Sequence, residues 1–95
     1  MMQISEVQMV RYDTAKAAIG LRIAALAKQI RLEQQKPSPD AALIGRLRQE
    51  QGICRTERDA LGPDDAINIE RVIVAYAALL DSNKDAGHEP SKLSA

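Results

Sequence analysis

Residues 35–43 read QKPSPDAAL, and the two prolines in that stretch decide how the chain folds. Pro37 and Pro39 each lack an amide hydrogen, and each pushes the residue before it out of helical geometry, so no helix runs through them. The same residues suit the start of a helix. Ser38 is a capping type, Pro39 fits the first helical position, and Asp40 brings negative charge to the positive end of the helix dipole. A break this short between two helix-forming segments implies an antiparallel helical hairpin.

Upstream of the break, residues 4–36 contain no proline and a single glycine, Gly20, among Ala, Leu, Ile, Gln, Lys and Arg. That composition predicts one long helix. At about 100° per residue its apolar side chains separate into two stripes. Tyr12, Ala15, Ile19, Ile23, Leu26 and Ile30 share one face; Val7, Val10, Ala18, Leu21, Ala25 and Leu32 fall on the roughly opposite one. A helix apolar on two sides is covered on two sides, which places helix 1 at the centre of whatever assembly forms.

Downstream, a second helix is expected over 39–61, with Leu43, Leu47, Cys54 and Leu61 on one thin seam and Ile44 beside them. Gly52 weakens its middle by about 1 kcal/mol relative to alanine. Leu61-Gly62-Pro63-Asp64-Asp65 repeats the logic of the first junction and predicts a third helix over 63–82, whose main stripe is Ile69, Val72, Ile73, Tyr76, Leu79 and Leu80. Ile67, Val74 and Ala78 make a smaller stripe behind it. Residues 84–95 show no periodicity and are expected to form a disordered tail beyond a single helical domain over 1–83.

The Pro37-Ser38-Pro39-Asp40 turn followed by Ala41, Ala42 and Leu43 resembles the hairpin turn of type III secretion needle subunits, which are short helical hairpins. The resemblance spans only the turn and the residues just after it. It implies a hairpin; the third helix and the tail depart from that pattern, and no function is carried across.

The chain has 13 Lys plus Arg and 13 Asp plus Glu, so no overall field draws it to nucleic acid or anionic lipid. Its apolar content is 45%, but aromatic residues make up only 2%, with no Phe or Trp. Such a chain fills a large core poorly, and oligomerisation is the common remedy. A lone cysteine, Cys54, cannot form an intramolecular disulfide and sits on an apolar seam, where a small buried hydrophobe is expected. His88, the only histidine, lies in the tail, where nothing rigid would hold a catalytic base. Asp64 and Asp65 fit a helix start rather than a metal loop. With no nucleophile and base in prospect, no enzyme, cofactor or metal is expected. No apolar run approaches the roughly 20 residues that span a bilayer, and the absence of a leader-like start points to the cytoplasm.

The expectation is therefore an all-α three-helix bundle: a long N-terminal helix, an antiparallel hairpin and a third helix, dimerised with coiled-coil character. Its function is expected to be that of a non-catalytic interaction module, a homodimeric adaptor or small regulator of the inhibitor, antitoxin or assembly-factor type, with a further protein partner. Ile4, Val7, Val10, Leu21, Leu32, Ile67 and Val74 are the candidate dimer contacts. The alternative is an accessory protein of DNA or RNA using a basic face on helices 1 and 2, built on Arg46, Arg48, Arg55 and Arg58 with Lys28, Arg31 and Lys36 from the adjoining end of helix 1.

Overall fold

Ser5-Glu6-Val7-Gln8 has the serine-x-x-glutamine form of a helix start, and the first helix begins there. In the computed structural model, which describes residues 4–79, Ser5 is extended and its hydroxyl accepts the Gln8 amide hydrogen at 3.1 Å. Helix α1 runs Glu6–Gln34, 29 residues or about 44 Å. It stops two residues short of Lys36 because Lys36 precedes a proline and avoids helical geometry.

Helix α2 spans Ala41–Ala60, and here the structure corrects the expected start. The N-cap is Asp40, not Ser38: its carboxylate accepts the Leu43 amide hydrogen at 3.1 Å. Pro39 precedes the helix instead of opening it. The second junction differs in the same sense. Asp65 donates its backbone N–H to the Gly62 carbonyl at 3.2 Å, closing a turn with Pro63 at its second position, where the proline ring suits the backbone. Asp65 then caps α3 by accepting from the Asn68 amide at 3.3 Å. Helix α3 covers residues 66–79, up to the last residue described. The tail, with His88, and Leu80 lie outside the described residues.

The three helices form an all-α bundle in which α1 touches both others. Arg22 pairs with Glu50, and Gln51 donates to the Ile23 carbonyl at 3.2 Å, so residue numbers fall along α2 as they rise along α1. That register makes the hairpin antiparallel. Arg11 pairs with Glu70, while Thr14 to Leu21 lie beside Ile73 and Ala77, so α3 runs parallel to α1.

Burial follows the stripes. Ala15, Ile19, Leu26 and Ile30 from α1 meet Leu47 and Cys54 from α2, Leu61 from the junction, and Ile69, Val72 and Tyr76 from α3. Tyr12, Ile23, Leu43, Ile44 and Ile73 pack partly buried around them, as does Ala18, which the spacing places on the opposite stripe of α1. Leu79 departs from expectation: it is exposed. The N-terminal end of α1 is met by the α2–α3 junction, where the Pro63 carbonyl accepts from the Gln8 side chain at 3.2 Å.

Candidate interaction surface

On the side of α1 away from the core, Val7, Val10, Thr14, Ala17, Leu21 and Ala24 recur at alternating steps of three and four residues. This is the spacing that keeps a seam straight along a helix facing another helix. The large members are open to solvent: Val7 is 68% exposed, Val10 62%, Leu21 58% and Leu32, on the same side near the C-terminal end, 53%. Small residues fill the middle of the seam, so a second backbone can approach closely there.

Helix α3 extends this surface at one end only. Ile67, 82% exposed, and Val74, 61%, share a face of α3 on either side of Glu70. Glu70 pairs with Arg11, which sits next to Val10 on α1, so the ion pair ties the two apolar faces together at one level. Next to it lies an open apolar groove with Thr14, Ala17, Ala18 and Leu21 on one wall and Ile73 and Ala77 on the other. The structure thus gathers Val7, Val10, Leu21, Ile67 and Val74 on one side of the bundle. Leu32 shares the face but lies farther along α1 than any described residue of α3. Ile4 departs from the expected set: it precedes the Ser5 cap, lies outside the helical periodicity and is half-buried.

Charge along the face is uneven. Glu6 and Asp13 are exposed beside its N-terminal half, and Lys28 and Arg31 lie exposed on its C-terminal half. Arg11, on the flank of the N-terminal half, is engaged with Glu70, and among the described residues the exposed Arg71 of α3 is the one other basic side chain next to that pair.

The arginines of α2 do not form one face. Arg46 lies about 180° around the helix from Arg55 and about 160° from Arg48. Arg48 and Arg55 are exposed on a shared flank, and Arg58 beside them is partly buried. Rotation per residue is the sequence signal that separates them.

Besides Gln51, three polar groups sit deep. The Tyr76 hydroxyl donates to Glu57 Oε1 and lies 3.6 Å from Cys54 Sγ, bridging α3 to α2. Burial first, then the hydrogen bonds to Glu57 and Cys54, push the phenol well above its ordinary value. Cys54 is buried, as its seam position implied. Glu33, which sequence reasoning does not single out, is only 6% exposed and accepts the Asp40 amide hydrogen at 2.9 Å. Every buried side-chain N or O atom among the described residues has a partner. Among these residues no three His, Cys, Asp or Glu side chains converge as metal ligands would, and no described helix is long and apolar enough to cross a membrane. No family model, no curated protein and no solved structure matches this chain, so its outer face must speak for its role.

Proposed function

We propose that this chain is a non-catalytic protein–protein interaction module that pairs with a second copy of itself through the outer face of α1, acting as an adaptor or small regulator of the inhibitor, antitoxin or assembly-factor type. The observation that carries the reading is the second apolar seam of α1, four of whose large side chains are more than half exposed in the single chain. Exposed apolar side chains scattered singly are ordinary; a regular seam that continues onto a neighbouring helix marks an interface. A two-fold symmetric pair is the commonest way to cover such a seam.

Sedimentation equilibrium at micromolar concentration tests it. The expected mass is about 21 kDa, twice the 10.4 kDa chain. Leu21→Glu shifts the mass toward that of one chain, because an unpaired carboxylate in an apolar interface carries a desolvation cost of several kcal/mol. A stable folded monomer under these conditions contradicts the reading.

A second reading, binding of DNA or RNA, draws on the exposed pair Arg48 and Arg55 on one flank of α2. It rests on fewer arginines than the four first considered, since Arg46 faces away. Titration with duplex and single strands over a salt series separates the two: affinity falling steeply with salt supports it, and no binding at low salt removes it.

A further inference from the structure

The self-pairing proposed above leaves the direction of the two α1 helices open, and the face itself carries the information that sets it. Its N-terminal half is flanked by the exposed carboxylates Glu6 and Asp13, and its C-terminal half bears Lys28 and Arg31. Arg11 does not offset the acidic end, because it is held by Glu70. In a parallel pair, acid would face acid at one end and base would face base at the other. In an antiparallel pair each acidic end meets the partner's basic end, and like-charge contacts vanish at both.

Shape gives the same direction independently. The N-terminal half of the face is a two-helix platform, with the groove between Leu21 and Ile73 as its floor. The C-terminal half, from Ala24 to Leu32, is the convex side of α1 alone as far as the described residues of α3 extend. A single convex helix seats in a groove; two grooves or two ridges facing each other bury less. Only the antiparallel arrangement sets a ridge into a groove at both ends.

We propose that the occupant of the α1 outer face is a second copy of this chain whose α1 runs antiparallel, with the two-fold axis passing near the middle of the seam, between Ala17 and Leu21. Lys28 and Arg31 of each copy then lie against Glu6 and Asp13 of the other. Their aliphatic stems cover Val7 and Val10 while the charged ends reach the carboxylates. Thr14, Ala17 and Ala18 at the centre let the backbones approach.

This inference rests on the self-pairing reading, and distances between nitroxide labels test the two separately. In a Cys54→Ser background, single cysteines replace Met9 or Gln29, both exposed and off the seam, and pulsed electron resonance measures the label-to-label distance in the dimer. With a rise of 1.5 Å per residue, the antiparallel pair puts labels at either position about 30 Å or more apart, whereas a parallel pair keeps both under about 20 Å. Long distances at both sites are the expected result. Short distances at both overturn the antiparallel arrangement while self-pairing stands. A monomer at high micromolar concentration overturns both. As a second arm, Lys28→Glu with Arg31→Glu raises the dimer dissociation constant at least about 10-fold, and adding Glu6→Lys with Asp13→Lys restores it; an unchanged constant in the first variant overturns the charge pairing.

Discussion

Glu33 does for α2 what the third residue of that helix cannot. In a capping box a Glu or Gln at that position accepts the amide hydrogen of the cap residue; in α2 the position holds Leu43, and Glu33 from the last turn of α1 accepts the Asp40 amide instead. Burial and the neighbouring Asp40 charge by themselves would raise the pKa of this carboxylate. The hydrogen bond from Lys36 and then that from Asp40 outweigh this, and hold the carboxyl below its ordinary 4.5. With a depressed folded value, the contribution to stability is complete above about pH 4.5 and is lost as pH falls through the lowered value. Glu33→Gln keeps an acceptor for Asp40 but has no charge to titrate, so the acid limb of a plot of Tm against pH should become shallower. An unchanged limb would show that Glu33 is not tied across the turn. Tyr76 produces the opposite limb. Its phenol is raised above an ordinary 10.0 by burial and by its bonds to Glu57 and Cys54. Stability from it is complete below pH 10 and declines above it, as the unfolded phenol ionises and the folded one does not. Tyr76→Phe should cost about 1 kcal/mol at neutral pH, the usual net worth of a hydrogen bond, and flatten the alkaline decline in chemical denaturation.

At the scale of the helices, periodicity was legible and capping was not. The apolar stripes of α1, α2 and α3 were read from spacing alone, and Ile19, Leu26, Leu47, Ile69 and Val72 are buried as that spacing requires. At both junctions the proline precedes the helix instead of opening it, and at Pro63 it occupies a turn. A proline suits the first helical position, but it equally suits the second position of a turn, and local sequence does not distinguish the two. Contacts distant in sequence decide: at Asp40 the Glu33 carboxylate, 7 residues back, engages the cap residue's amide. The Tyr76 bridge to Glu57 was hidden for the same reason, since the two lie on different helices 19 residues apart. Gly52 shows what helix-level reasoning does predict. It sits inside α2, a methyl group added there meets nothing within 4 Å, and its backbone is helical. Gly52→Ala should therefore stabilise the protein by about 1 kcal/mol through backbone entropy alone. Urea denaturation measures this, and a loss of stability would mean that the open side of α2 at Gly52 is covered in solution.

The whole molecule has one well-used inside and one apolar side left over. Each helix gives its strongest stripe to the core, and the only aromatic in that core is Tyr76. A core so short of large side chains leaves the isolated bundle with little margin. Covering the second α1 seam would add to that margin, and the added stability would depend on how much protein is present, because association with the folded form shifts unfolding by mass action. Raising the concentration from near the dissociation constant to a hundred times above it adds about 1 kcal/mol per chain, because the free copy rises only as the square root of the total, and for a domain of this size that raises Tm by roughly 5 °C. Calorimetric scans over a hundredfold concentration range should show that rise in the wild type. In Leu21→Glu they should show a lower Tm that no longer depends on concentration. A wild-type Tm that stays constant over the same range, with Leu21→Glu equally stable, would mean that the outer face of α1 meets no second copy and is stable in water as it stands.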